Sequence, residues 1–203
     1  FFPSVSAGWR ISREDFFNVH AISDLKLRFS HGTLGNANIG NWDYVAVLNS
    51  FPVAVFGNDQ HLEPGMTQIK LVNENLKWEE KTQDNFGLDI SFLDNKLQFS
   101  AEYFISTTKD VLTPMQILMT TGNDGGNPYV NAASLRNKGI EISGNWREKR
   151  GDFEYSLGAN FTSLRNEVLE FGYGKVEQYT WITKTEIGEP LAMFYTIDRK
   201  SVV

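Results

Sequence analysis

Residues Phe86 to Ile105 read FGLDISFLDNKLQFSAEYFI, and the fold turns on them. Phe86, Leu88, Ile90 and Phe92 alternate with Gly87, Asp89 and Ser91. After Leu93 to Lys96, Leu97, Phe99, Ala101, Tyr103 and Ile105 alternate with Gln98, Ser100 and Glu102. A period of two is the signature of a strand with one apolar and one polar face. Asp94 and Asn95 tolerate the left-handed backbone that a tight reversal needs. The stretch is therefore a predicted hairpin, with Phe92 opposite Leu97, Ile90 opposite Phe99, Leu88 opposite Ala101 and Phe86 opposite Tyr103.

The same period recurs on either side. Val5, Ala7, Trp9 and Ile11 form one face of a first segment, and Leu25, Leu27 and Phe29 one face of a second. Ile140, Ile142, Gly144 and Trp146, then Phe153, Tyr155, Leu157, Ala159 and Phe161, complete the set. Arg150 and Gly151 predict another hairpin, pairing Lys149 with Asp152, Arg147 with Glu154 and Trp146 with Tyr155. Ser12 to Phe17 (SREDFF) is a predicted helical turn capped by Ser12. Roughly residues 31 to 80, 107 to 137 and 164 to 190 are long connections, longer than a compact soluble domain ordinarily carries. The fold class is all-β, an antiparallel meander of long hairpins.

Composition narrows the function classes. The 203 residues carry 19 Lys plus Arg against 25 Asp plus Glu, a net charge of −6 that excludes general electrostatic binding of nucleic acid. Cysteine is absent, so disulfides, thiolate metal sites and a cysteine nucleophile are excluded within this chain. No apolar run approaches the roughly 18 residues of a spanning helix. The opening Phe1 and the closing Ser201, Val202 and Val203 read as those of an excerpt.

Alternation fits both a soluble sandwich, whose apolar face meets a core, and an outer-membrane barrel, whose apolar face meets lipid. Runs near the nine to eleven residues that cross a bilayer on a tilt favour the barrel, as does the asymmetry of short turns and long connections. Trp9, Phe86, Phe92, Tyr103, Trp146, Phe153 and Phe161 sit toward the ends of the alternating runs, where interfacial girdles lie. The alternative is a soluble or surface-exposed β-sandwich carbohydrate-binding module.

Five blocks carry a family resemblance: FFPSVSAGWRIS from Phe1, DLKLRFSHGTLGNANIGNWDY from Asp24, NENLKWEEKTQDNFGLDISFLDNKLQFSAEYFISTTKDVL from Asn73, NKGIEISGNWREKRGDFEYSLGANFTSLRNEV from Asn137, and IGEPLAMFY from Ile187. Together they resemble the SusC/RagA family of TonB-dependent outer-membrane transporters of Bacteroidota. Members usually carry Tyr in place of His31 and often Pro in place of Glu74. The resemblance implies a transmembrane β-barrel of 22 strands around an N-terminal plug, in the outer membrane of a Gram-negative bacterium. It implies import of oligosaccharides, peptides or similar nutrients, with a SusD-like surface lipoprotein as lid and energy from the TonB-ExbB-ExbD complex. Residues 1–203 would then be part of the C-terminal half of the barrel, without plug domain or TonB box, forming an open curved sheet in isolation.

No residue pattern points to catalysis or to a cofactor. His20, His31 and His61 lack metal-ligand spacing and are expected in loops or turns. Glu102, Glu141 and Glu154 share the polar face, but Glu154 lies beside a short turn and Glu102 is expected toward a long connection, too far apart for a glycosidase pair. The chain is read as a non-enzyme with no metal or cofactor site. Arg10, Lys26, Arg28, Asp89, Glu102, Glu141, Arg147 and Glu154 form a mixed-sign polar face, suited to a water-filled lumen and contact with a plug. Gly122 to Pro128 (GNDGGNP) lacks the context of a phosphate loop and is a loop tip. Trp42, Tyr44, Phe51, Phe56, Tyr129, Tyr173, Tyr179 and Trp181 are candidate loop aromatics, for packing, for a sugar ring or for the lid. No substrate-contacting residue is singled out among them.

Overall fold

The structure is a computed structural model and describes residues 1–50, 53–68, 70–115, 117–122, 126–172, 178–179 and 182–194. Six long strands form one antiparallel sheet in which each pairs with its chain neighbour: β1 (Ser4–Arg10), β2 (Ile22–Asn36), β3 (Glu79–Phe92), β4 (Leu97–Pro114), β5 (Tyr129–Arg150) and β6 (Phe153–Phe171). β1 and β6 are hydrogen-bonded on one side only, so the sheet is open. Short two-stranded ribbons, Val53–Phe56 with His61–Pro64 and Leu48–Asn49 with Thr67–Gln68, lie in the connection from β2 to β3.

The β3–β4 hairpin has the expected register at all four predicted pairs. Leu93, Asp94 and Asn95 all take positive φ, and the Lys96 amide donates to the Leu93 carbonyl. The β5–β6 register departs from expectation by two residues: Lys149 faces Glu154, Arg147 faces Ser156 and Trp146 faces Leu157. Gly151, at φ +64°, is the first rather than the second central residue of the turn, the position where a two-residue reversal favours glycine. Tyr155 faces Glu148 instead of Trp146, and its hydroxyl donates to that carboxylate at 3.1 Å. A shift of two preserves parity, so every side chain keeps its face.

The strands run further than the alternation predicts. Glu79 to Asn85, Ser106 to Pro114, Tyr129 to Gly139 and Thr162 to Phe171 are paired strand. The connections therefore shrink to 37–78, 115–128 and the residues after Phe171. The expected helical turn capped by Ser12 is instead a single 3-10 turn at Ile11–Arg13, and Ser12 donates its hydroxyl to Asp24 at 2.6 Å.

Cross-strand registers stack the apolar residues into rows on one face. The rows are Ile22, Phe92, Leu97, Trp146 and Leu157; Leu25, Ile90, Phe99, Gly144 and Ala159; Trp9, Leu27, Leu88, Ala101, Ile142 and Phe161; and Ala7, Phe29, Phe86, Tyr103 and Ile140, closing on Ser163. From Leu97 to Ile105 the apolar face of β4 rises about 27 Å, or roughly 19 Å along the normal at a 45° tilt, near the height of a lipid-facing band. Phe92, Trp146 and Phe153 mark its short-turn border, and Phe86 and Tyr103 the other. Trp9 and Phe161 were expected at a border, but they lie in an interior row because β2, β5 and β6 continue beyond the apolar runs.

This face has no core beneath it. The buried apolar residues among those described are Val130, Ala133 and Val168, whereas Leu157 keeps 68% of its surface exposed and Phe161 62%. The three buried residues lie at the long-connection end, where Val168 exchanges backbone hydrogen bonds with Gly188 and Glu189. A sandwich would bury Leu88, Phe99 and Leu157 against a second sheet. Among the described residues no such sheet covers them, so the sandwich alternative is not what this chain forms.

Candidate functional site

The opposite face carries the polar set, in rows fixed by the same registers. Lys26, Asp89, Ser100, Ser143 and Asn160 form one; Arg28, Gly87, Glu102, Glu141 and Thr162 the next; and Ser30, Asn85, Phe104, Gly139 and Leu164 a third. Arg28 is the centre of this face. Its Nε donates to Asp89 Oδ2 at 2.8 Å, its Nη2 to Asp89 Oδ1 at 3.1 Å and its Nη1 to Glu102 Oε2 at 3.1 Å. The Ser100 hydroxyl donates to Asp89 Oδ1 at 2.7 Å.

This arrangement requires Gly87, over which the guanidinium passes: a Cβ there would lie 2.8 Å from Arg28 Cζ. Gly139 has a similar task, since a Cβ on it would meet the Phe104 ring at 3.0 Å and the Ser163 carbonyl oxygen closer still. Arg28, Asp89 and Glu102 thus come together as one cluster, with Glu141 directly opposite Glu102. Glu102 sits in mid-strand, not near a long connection as expected. Arg147 and Glu154 lie apart from the cluster, near the short turn. Within the mixed-sign cluster Arg28, Asp89 and Glu102 satisfy one another, and among the described residues no group of side chains could hold a metal ion.

The histidines correct another expectation. His20 lies in the β1–β2 link, but His31 is in β2 with Nδ1 2.7 Å from Asp84 Oδ1, and His61 is in a ribbon strand. Asp84 faces His31 directly across the β2–β3 register.

A second candidate lies in the long connection. A cavity of about 540 Å³ is walled by Trp42, Tyr44 and Trp78, with Asn41, Glu74 and Lys77 among its polar lining. It is an open hollow in which aromatic rings and a few polar groups stand together. Trp42 and Tyr44 are stacked, with centroids 6.4 Å apart and planes at 28°. Trp42 takes φ +69°, an uncommon conformation for a bulky residue, held by a turn in which the Val45 amide donates to the Trp42 carbonyl at 2.9 Å. Lys70 Nζ clamps that turn through Asp43 Oδ1 at 2.5 Å, and this ammonium holds the Asp43 carboxyl below the usual carboxylate range.

The far wall is tied to the sheet by one side chain. Asn131, at the start of β5, accepts from the Lys77 amide and donates to the carbonyls of Lys77 and Asp110, each at 2.8 Å. Nothing in the sequence pattern singles out Asp43 or Lys70, and Asn131 is marked only by the poor strand propensity of Asn inside β5. Trp78 belongs to the NENLKWEE stretch of the family resemblance and is not among the expected loop aromatics. Tyr129 opens β5 and lies outside the cavity lining. Phe51, Tyr173, Trp181 and the middle of the Gly122 to Pro128 tip lie outside the described residues, as do the side chains of Phe56 and Tyr179.

A single sheet, apolar outside and charged inside, with short turns at one end and a furnished cavity at the other, has the anatomy of barrel wall. Residues 1–192 match the family described as TonB dependent receptor-like, beta-barrel. The chain belongs to that family. Its relatives include the TonB-dependent receptor SusC of Bacteroides thetaiotaomicron, 34% identical over 88% of this chain and 18% of SusC. The TonB-dependent receptor P39 of Formosa agariphila is 34% identical over 83% of this chain and 16% of P39. The RagAB peptide importer in its closed-closed state superimposes with a TM-score of 0.80 and 28% identity, over 98% of this chain and 22% of the matched one. The chain thus spans about a fifth of the length of the relatives it matches. The family is one of receptors and transporters, and its β-barrel description agrees with the all-β, meandering sheet expected from the alternation.

Proposed function

We propose that residues 1–203 are one partial barrel domain, a stretch of wall in an outer-membrane, TonB-dependent nutrient importer of a Gram-negative bacterium. The observation that carries this reading is the two-faced sheet: four apolar rows outward, and an inward face on which Arg28, Asp89 and Glu102 satisfy one another in water. On a lipid face each of those charges would cost about 2–4 kcal/mol near the midplane. Long connections of such barrels face outward from the cell. The Trp42, Tyr44 and Trp78 cavity would then stand at the extracellular mouth, where an oligosaccharide or peptide can lay a ring or an apolar side chain against the stacked aromatics. A SusD-like lipoprotein would close over this end, and TonB-ExbB-ExbD would energise passage through the remainder of the protein.

Growth on single peptides and single glycans by a strain lacking the full-length transporter tests the reading. Growth on at least one such nutrient should fail and return with the wild-type gene. With Trp42→Ala plus Tyr44→Ala it should return only at roughly ten-fold higher nutrient concentration, the loss of about 1.4 kcal/mol of ring contact. A deletion strain that grows normally on every peptide and glycan would overturn the importer reading.

A further inference from the structure

Just beyond the apolar rows, on the long-connection side, the outward face changes character. The row after Phe86, Tyr103 and Ile140 is His31, Asp84, Ile105, Lys138 and Arg165; the next is Thr33, Thr82, Thr107, Arg136 and Glu167. Lys138 and Arg165 face each other directly across the β5–β6 register. Like charges so placed, with Cβ atoms about 5 Å apart, repel unless an anion lies between them. No anion of the described residues does so: Asp84 is engaged by His31 at 2.7 Å, and Glu167, opposite Arg136, makes no ion pair with any of the three cations. In a chain of net charge −6, Lys138 and Arg165 thus make no ion pair among the described residues, and they stand one row above exposed Ile140 and two rows above exposed Phe161.

We propose that Lys138, Arg165 and Arg136 form a binding site for the phosphate of a membrane-lipid headgroup, with the acyl chains running down over Ile140 and Phe161. The inference rests on the barrel reading, because it needs this face to meet lipid. Two features favour a lipid over a free anion. The site is continuous with the apolar rows, and its cations lie on the outer surface of the wall, away from the lumen and the mouth cavity. Arginine offers forked donors that match phosphate oxygens, and lysine adds a point charge beside them.

The test uses the full-length transporter in vesicles of equal phosphatidylglycerol and phosphatidylcholine, followed by native mass spectrometry of the retained lipid. Wild-type protein should retain phosphatidylglycerol in preference, by about five-fold for each participating cation. Lys138→Gln with Arg165→Gln should lower that preference to about five-fold and adding Arg136→Gln should bring it close to unity, whereas the charge-preserving Lys138→Arg with Arg165→Lys keeps it. Lys149→Gln, on the inner face at the opposite end, should leave it unchanged. Millimolar inorganic phosphate should not displace the lipid; ready displacement would mark a free-phosphate site and overturn the proposal. Equal preference in wild type and the double Gln variant would overturn it as well. Failure of the wild type to enter vesicles at all would strike the barrel reading instead.

Discussion

The Arg28 guanidinium lies across Gly87, so near that a Cβ on the glycine would come within 2.8 Å of its central carbon. Asp89 and Glu102 sit on either side to receive its donors. The glycine thus makes room for a charge cluster that spans β2, β3 and β4 rather than for a turn.

Gly87→Ala should therefore displace Arg28 from Asp89 and Glu102. The ion pairs are about one-third exposed, so the loss should be modest, about 1 kcal/mol or less. In an Arg28→Ala background the same substitution should cost almost nothing. Unfolding of the full-length barrel in detergent measures this as a double-mutant cycle. Costs that simply add, within about 0.5 kcal/mol, would mean that Gly87 is not there to seat Arg28.

How much of this was legible in the sequence depends on which residues meet lipid. On the barrel reading, lipid contact between Phe86 and Ile105 requires one face to be apolar, so alternation is strict and even the register can be read. From Glu79 to Asn85 and from Ser106 to Pro114 the strands leave that band. Both faces then accept polar residues, and EEKTQDN carries no period although its backbone stays fully paired. At the β5–β6 turn Arg150 and Asp152 flank Gly151 with equally plausible charge pairings, and the positive φ of Gly151 decides between registers two residues apart. Of the cavity, only Trp42 and Tyr44 are legible, as loop aromatics; the contacts that assemble it are not. Asn131 reaches Lys77 across 54 positions of sequence, and Lys70 reaches Asp43 across 27.

The two faces of the β3–β4 hairpin should tolerate charge very differently. Leu88 lies in an interior apolar row, so Leu88→Arg should lower outer-membrane assembly of the full-length protein by an amount corresponding to about 2–4 kcal/mol. Ser100 faces inward beside Asp89, so Ser100→Arg should assemble normally. Heat-modifiable migration of outer-membrane fractions reports folded barrel. Equal loss for both variants would contradict the assignment of faces.

The Asp43–Lys70 clamp should make the mouth turn resistant to mild acid. Lys70 lowers the Asp43 carboxyl in the folded state, so its stabilising contribution is present above the ordinary carboxylate value and is lost as pH falls through the lowered one. The turn should therefore hold from neutral pH to about pH 4, the ordinary carboxylate region, and loosen below it. Lys70→Gln should move that loosening upward in pH. A cysteine introduced at Asn41 in the full-length protein and labelled with an environment-sensitive dye would follow it. A midpoint unaffected by Lys70→Gln would show that the pair does not hold the turn.

Asn131 should matter more than its place in a strand implies. Its amide makes three hydrogen bonds that fix Lys77 and the Asp110 bulge to one point, and these form the base of the Trp78 wall. Each is worth about 0.5–1.5 kcal/mol net. Asn131→Asp keeps the acceptor for the Lys77 amide but sets a carboxylate oxygen against two carbonyls. It should therefore release residues 73–78 more fully than Asn131→Ala, which removes the bonds without adding repulsion. Hydrogen exchange at the Lys77 amide should quicken in both variants and most in Asn131→Asp, while the β3–β4 hairpin amides stay protected. The reverse order, or no change at Lys77, would mean that Glu79, which accepts from the Leu112 amide at 2.9 Å, is sufficient to anchor this wall.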